Sequence, residues 1–257
     1  MRQSNVLGRG LWSQVSGLWS EMASKRYEQA LTLVDRAKTY TVEEAVAVLK
    51  AMPAAKFDET VDLSVSLGID PKKTDQLIRG TVVLPHGTGQ TKRVLVFCKG
   101  EKELLAKQAG ADHVGFADLI DKIQEGWLEF DVAIATPDLM REVSKLGKIL
   151  GPRGLMPNPK VGTVTDDVAN AVTEVKRGKV EFKMDKLANV HVALGKRSFE
   201  APQLAENARV LLTAIVQAKP AAAKGQFIRR VSLSSTMSPG VAIDVKPFLA
   251  AVDEDTE

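Results

Sequence analysis

The chain is short of several things that would point to a function. Cysteine occurs once in 257 residues, as Cys98, so no intramolecular disulfide framework exists and a reducing compartment is the natural setting. Cys98 follows the apolar run Val94-Leu95-Val96-Phe97 and reads as a small buried hydrophobe rather than a reactive thiol. Aromatic residues make up 5%, and no strand-like segment carries the aromatics on which RRM-type domains stack bases. No apolar run is long enough to cross a bilayer, which gives no reason to expect a membrane partner. Neither a G-x-G-x-x-G nor a Walker sequence follows the first apolar strand, where Cys98-Lys99-Gly100-Glu101 stands instead. His86, His113 and His191 are scattered without metal-ligand spacing. With no serine nucleophile elbow or paired-carboxylate motif either, no catalytic residue, metal or cofactor is expected.

Charge is also scarce in bulk. The formal net charge is +3, which by itself announces no nucleic-acid binder. Its distribution says more. Segment 22–87 holds nine basic and nine acidic residues and 88–178 holds thirteen of each, whereas 179–252 holds eleven basic against five acidic, ahead of the acidic tail Asp253, Glu254, Asp255 and Glu257. Any affinity for RNA must come from where charge is placed rather than from overall potential.

What the chain has is a change of period. Residues 1–21 carry Arg2, Arg9 and four serines with one acid, Glu21; they read as a disordered leader or upstream-start extension ahead of Met22 rather than as a transit peptide. Tyr27, Leu31 and Val34 give a first helix an apolar face, and the T-x-x-E box Thr41/Glu44 opens a second that stops before Pro53. Val61, Leu63, Val65 and Leu67 alternate with Asp62, Ser64 and Ser66, the pattern of a half-buried strand. A strand near 81–84 follows, and Pro85-His86-Gly87-Thr88-Gly89 breaks it.

Between 93 and 178 the strands become continuous apolar runs (93–98, 131–135, with another near 112–115) and alternate with helices over 101–109, 117–125 and 137–150. A last helix has Thr165 as its cap, Asp166 and Asp167 at its positive end, and Lys176, Arg177 and Gly178 at its close. From Lys179 the two-residue period returns: Val180, Phe182 and Met184, then Val190, Val192 and Leu194 as the return strand. Pro202 opens a helix striped by Leu204, Ala208, Leu211 and Ile215; strands near 227–234 and 241–245 end the pattern. The segments before 88 and after 178 are alike in style, and neither makes a full sheet alone. The expected fold is therefore α/β and α+β: a discontinuous α+β sandwich of the split β-α-β type (22–87 and 179–257), interrupted by an inserted Rossmann-like α/β domain (88–178).

One stretch is unusual in composition. Gly147 to Thr165, GKILGPRGLMPNPKVGTVT, holds four glycines and three prolines, with Lys148, Arg153 and Lys160 as its only charges. Glycine admits close backbone approach and proline removes alternative conformations, so the segment reads as a rigid cationic loop, either anion-facing or simply a connection. A second cluster pairs Lys56-Phe57-Asp58-Glu59-Thr60 with Ser234-Ser235-Thr236-Met237-Ser238. Hydroxyls there suit ribose 2′-OH groups, Phe57 and Met237 offer flat apolar contact, and Lys183, Lys186, Arg229 and Arg230 suit phosphates. A solvated strand end is the plainer account of the same hydroxyls.

The string GPRGLMPNPKVGTVT resembles the signature of the family of ribosomal large-subunit protein one. Phe57-Asp58-Glu59-Thr60, Leu84-Pro85-His86-Gly87, Ala135-Thr136-Pro137-Asp138 and Ser235-Thr236-Met237 fit the same family in order, over about 22–245. The resemblance implies the split fold and a protein of the mobile stalk beside the exit site of the large ribosomal subunit. It implies binding of stalk rRNA, help in releasing deacylated tRNA from the exit site, and repression of its own operon mRNA. Such a protein would be cytoplasmic, monomeric within the ribosome, and not an enzyme. The implied RNA-binding residues are Phe57, Thr60, Lys186, Thr236 and Met237, beside which Lys56, Lys183, Ser234 and Ser238 stand as candidates; Lys148, Arg153 and Lys160 are candidate secondary contacts to RNA or tRNA. The family usually carries Gly after its Thr-Met pair, where this chain has Ser238. The turn Lys186-Leu187-Ala188-Asn189 lacks the glycine of a tight hairpin, a departure that Asn189, which tolerates positive φ, can accommodate. The readings that compete are an RNA-binding regulator acting off the ribosome and a nucleotide-dependent enzyme with the 147–165 loop as a phosphate lid.

Overall fold

A computed structural model describes residues 24–220, 223 and 225–248; the leader-like segment 1–21 and the acidic tail lie outside the described residues. Helix α1 (Lys25–Thr32) is capped by Ser24, whose hydroxyl accepts the Tyr27 N–H at 3.4 Å. Helix α2 (Val42–Ala51) has both halves of the expected capping box: Thr41 accepts from Glu44 N–H at 3.2 Å, and Glu44 accepts from Thr41 N–H at 3.4 Å. Strand β1 (Thr60–Leu67) alternates buried and half-buried residues without a break, and β2 (Arg79–Val83) follows.

Strand β3 (Val94–Phe97) is buried along its whole length. Helix α3 (Glu101–Gln108), strand β4 (His113–Gly115), helix α4 (Ala117–Gln124) and strand β5 (Val132–Ala135) then alternate. The helix expected over 137–150 is instead a chain of single turns. A 3-10 turn at Pro137–Leu139 leads to α5 (Met140–Val143), another 3-10 turn at Ser144–Leu146, and α6 (Gly147–Leu150). Ser144 donates its hydroxyl to the Met140 carbonyl at 2.6 Å, a local bond that competes with the helical ladder and bends it. The apolar stripe Leu139, Val143, Leu146 and Leu150 is nevertheless buried as the spacing predicts.

Helix α7 (Val168–Arg177) is capped by Asp167, which accepts from Asn170 N–H at 3.2 Å, and not by Thr165. Thr165 instead accepts from the Asp167 N–H at 3.2 Å, two residues ahead of that cap. Strands β6 (Lys179–Lys183) and β7 (Asn189–Lys196), helix α8 (Ala201–Gln217), strand β8 (Ile228–Ser235) and strand β9 (Val241–Ile243) complete the order.

Among the described residues the strands form three sheets. The largest is antiparallel with order β7-β1-β8-β9; β2 and β6 form a two-stranded antiparallel ribbon; and β4-β3-β5 is parallel. The return strand therefore does not pair with its predecessor along its length. β7 pairs with β1, β6 pairs with β2, and β6 meets β7 only through the bridge Met184–Val190. One hydrophobic core runs under the antiparallel sheet and draws on residues 30–84 and 182–243, with α2 and α8 supplying Leu49, Leu204, Leu211 and Ile215. Two further clusters cover the two faces of the parallel sheet, one around Leu95, Phe97 and Ile123, the other around Val94, Val96, Ile134 and Val172. Coverage on both faces is why these strands read as unbroken apolar runs.

Two glycines fix where the chain passes between these regions. Gly87 (φ 65°) and Gly178 (φ 107°) stand back to back, and a Cβ on Gly178 would lie 2.4 Å from the Gly87 Cα. Buried Asn207 of α8 ties this crossing down. It donates to the carbonyls of Gly87 (3.0 Å) and Leu194 (2.8 Å) and accepts the His86 N–H at 3.2 Å. A buried amide so fully paired carries no desolvation penalty.

Candidate nucleic-acid interface

The two sequence clusters meet at one end of β1. Register places Val61 opposite Ser235 and Thr60 opposite Lys196. Thr236 clamps the Thr60 backbone: its N–H donates to the Thr60 carbonyl at 3.1 Å, while its hydroxyl accepts the Thr60 N–H at 3.1 Å and reaches the same carbonyl at 3.3 Å. The Thr60 hydroxyl accepts from Lys196 Nζ at 2.9 Å. Phe57 and Met237 at this sheet end are 55% and 50% exposed. Lys56 is exposed beside them.

Beneath this surface lies a feature that the sequence reading did not single out. Glu59 is 1% exposed and is held by three donors: Ser235 Oγ at 2.6 Å, Arg197 at 3.0 Å and Arg26 at 3.3 Å. Burial pushes its carboxyl upward, but the Ser235 hydroxyl, Arg197 and Arg26 outweigh it and hold the group below the usual carboxylate range. Arg197 also donates to the carbonyls of Lys50 and Met52, and Arg26 reaches the Met237 carbonyl at 3.4 Å. One buried carboxylate thus couples α1, the end of α2, β1 and the 236–238 turn.

Not every hydroxyl of the serine-threonine run faces outward. Ser235 is committed to Glu59, and Ser238 accepts the Ser235 N–H at 2.8 Å within the turn. Ser238 does not stand among the residues with positive φ, so serine sits there without backbone strain. Ser234 is half-buried and lies opposite Asp62 on the other face of the strand. Thr236 keeps one free lone pair after its two bonds, so it remains able to accept from a ribose hydroxyl.

Lys183 and Lys186 are not part of this cluster. Their turn leads into Asn189, which pairs with Ser66 at the far end of β1, about 20 Å from Thr60 at the rise of an antiparallel strand. There the Asp185 carboxylate accepts from the N–H groups of Leu187 (2.8 Å) and Asn189 (2.7 Å), which draws its pKa down. The positive φ falls on Ala188 (61°) rather than on Asn189, because Asn189 is already the first residue of β7.

Joining the two ends is the uncovered face of the sheet, the second feature that was missed. Thr60, Asp62, Ser64 and Ser66 of β1, Asn189 and His191 of β7, and Arg230, Ser232 and Ser234 of β8 are in register on it. Ser64 and His191 are hydrogen-bonded across it at 3.0 Å. The alternation in 60–67 displayed this polar row, but only the pairing of strands shows that three such rows lie side by side.

The 147–165 segment is pinned elsewhere, on the parallel sheet. Val164 bridges to Ala135, Asn158 caps a 3-10 turn at Pro159–Val161, and Gly162 takes a positive φ of 70°. With Arg79, Lys179 and Glu181 of the β2–β6 ribbon, Gly154, Leu155, Met156 and Asn158 line a cavity of about 620 Å³. Lys148, Arg153 and Lys160 are exposed outside that lining and have no ion pair among the described residues.

The model of the ribosomal protein L1p/L10e family matches residues 49–239 of this chain. That span holds β1, the whole 147–165 segment, β8 and the Thr236-Met237 pair. The chain belongs to this family. It is thereby a structural protein of the large ribosomal subunit that binds rRNA, from a family that is not one of enzymes. Among the described residues no helix is long and apolar enough to cross a membrane.

Proposed function

We propose that this L1-family chain grips folded rRNA of the ribosomal stalk with the Thr60–Thr236 end of its four-stranded sheet. Exposed Phe57 and Met237, close in sequence to the clamped Thr60–Thr236 pair, together with the buried ion cluster that holds the turn, are the observation that supports this reading most. A flat apolar and hydroxyl surface on rigid backbone suits the wide, shallow minor groove of A-form RNA and its 2′-hydroxyls. Lys56 stands beside the grip, while Lys183 and Lys186 serve phosphates from the far end of the sheet.

The functional assignment extends further. Residues 22–87 and 179–257 form one discontinuous RNA-binding domain, 88–178 form an inserted α/β domain, and the Gly87/Gly178 crossing is the hinge between them. The division of the hydrophobic cores along the chain supports this arrangement. On the inserted domain Lys148, Arg153 and Lys160 face the departing tRNA, so the protein assists release of deacylated tRNA from the exit site. The same sheet end represses the operon's own mRNA by recognising an RNA that copies the rRNA site. The protein works in the cytoplasm, as one copy on the ribosome.

Titration of a large-subunit stalk rRNA fragment tests the grip. Met237→Ala and Phe57→Ala are each expected to weaken binding by more than about 1 kcal/mol, as central apolar contacts do, with unfolding midpoints unchanged. Thr236→Val is expected to cost about 1–3 kcal/mol of affinity and also some stability, because the Thr60 clamp is lost with the hydroxyl. Wild-type affinity in both alanine variants would refute the site.

A further inference from the structure

The far end of the sheet carries a second cationic locus, on the edge opposite the Lys183–Lys186 turn. Strand β8 is irregular here: Ser66 pairs with Arg230 and Leu67 with Ile228, so Arg229 is an extra residue in the ladder. Such a bulge re-aims side chains. In an unbroken strand, adjacent residues point to opposite faces and one of two neighbouring arginines would enter the core; here Arg229 and Arg230 are both exposed.

The loop after α1 brings a third arginine to the same place. Arg36 and Arg230 border two adjoining grooves beside β9, one of about 340 Å³ that also includes Arg229, Lys38 and Lys246, and one of about 280 Å³ that includes Ser232 and Gly240. The carboxylates present are turned to local tasks, Asp35 accepting the Ala37 N–H at 2.9 Å and Asp244 the Lys246 N–H at 3.1 Å. Lys38 is paired with Glu44 at 3.4 Å. Arg36, Arg229, Arg230 and Lys246 have no ion pair among the described residues. Four unpaired cations around a groove, next to a row of serines, are poised to meet anions.

We infer that Arg36, Arg229, Arg230 and Lys246 form a second phosphate-binding contact, which takes the backbone of the same folded RNA about 20 Å from the Thr60–Thr236 grip. The inference rests on the proposed RNA-binding role of the sheet. It adds a division of labour: the Thr60 end recognises shape, and this locus adds electrostatic attraction and orients the RNA along the open face.

Affinity for the stalk rRNA fragment measured across salt concentrations separates these roles. Each phosphate contact contributes about 0.7–0.9 to the slope of log affinity against log salt. Arg36→Gln/Arg230→Gln is expected to lower that slope by nearly two, so that between roughly 50 and 200 mM salt it loses about tenfold less affinity than wild type does. Arg36→Lys/Arg230→Lys, which keeps the charge, is expected to retain the wild-type slope, and Lys246→Gln to lower it by about one. Met237→Ala is expected to reduce affinity at every salt concentration with the slope intact. Wild-type protein that binds the fragment, together with a folded double-glutamine variant of unchanged slope, overturns the second contact alone. Wild-type protein that binds the fragment no better than an unrelated RNA duplex overturns the sheet interface itself.

Discussion

The two ends of β1 differ in kind although they lie on one strand. At Thr60 the Glu59 charge is buried and paired, the Thr236 hydroxyl is bonded to backbone and that of Ser235 to Glu59, and Phe57 and Met237 are exposed together with Lys56. At Ser66 the outward charges are cations with no ion pair among the described residues, Arg230 and Arg229 on one side and Lys183 and Lys186 on the other, the latter beside exposed Leu187. A rigid apolar surface can discriminate shape, and mobile solvated cations attract any phosphate. The comparison explains how a chain with a net charge of only +3 can serve RNA. On the proposed reading, cations are needed at the end where shape is not read and not over the whole surface.

The sharpest way to break this contrast is to remove the buried carboxylate. Glu59→Ala leaves Arg197 and Arg26 without their partner and is expected to destabilise the fold by about 3–5 kcal/mol, read from chemical unfolding. Arg230→Gln, at the other end, is expected to stay within about 0.5 kcal/mol of wild type. Equal costs would mean that the two ends are built alike.

Acid sharpens the same contrast with a smaller effect. The Glu59 carboxyl is held below its ordinary value of 4.5, so its contribution to stability is present above that pH and disappears as pH falls through the lower folded value. Wild type is therefore expected to lose its advantage over Glu59→Gln as pH falls below 4.5, measured as the difference in unfolding free energy. An advantage that persists unchanged into acid would contradict the pairing.

Asp62 tests the open face between the two ends. Burial raises its carboxyl above the ordinary 3.8 despite His191 and Lys196, so its ionised form costs stability at neutral pH and the cost vanishes as pH drops below that value. Asp62→Asn is expected to gain up to about 0.5 kcal/mol at pH 7 and to bind the rRNA fragment more tightly, since a negative charge facing phosphates is removed. The last test concerns the cationic hairpin. Ala188→Gly relieves a left-handed alanine worth about 1–2 kcal/mol but adds unfolded-state entropy of about 0.5–1 kcal/mol, for a net gain of about 0–1.5 kcal/mol in thermal unfolding. A loss instead would show that the Ala188 methyl, which is buried, matters more than its φ.

Much of this was legible in advance where the signal is local. The Thr41/Glu44 box, the alternation of 60–67 and the covered strands at 94–97 and 132–135 came out as expected, because capping and periodicity depend on neighbours in sequence. The misses share a cause. Thr165 and Asp167 are both good caps, and only the path of the chain chose between them. Ser144 unsettles the 137–150 helix by a bond that propensity does not record. Lys186 and Thr236 are both implied RNA contacts, and only strand pairing shows that they stand at opposite ends of the sheet.

The amino-acid order by itself determined which segments alternate, which run apolar, where helices begin, and that the signature strings belong to one family, since each of these is fixed within a few residues of chain. Only the tertiary structure decided which polar row lies beside which, that Glu59 is a buried hub and not a surface acid, and that two neighbouring arginines both reach solvent. Those outcomes depend on register and on a bulge between strands more than 160 residues apart (|i−j| = 176 from Glu59 to Ser235). The free energy that selects them comes from packing and from pairing buried charge, neither of which a local window of sequence contains.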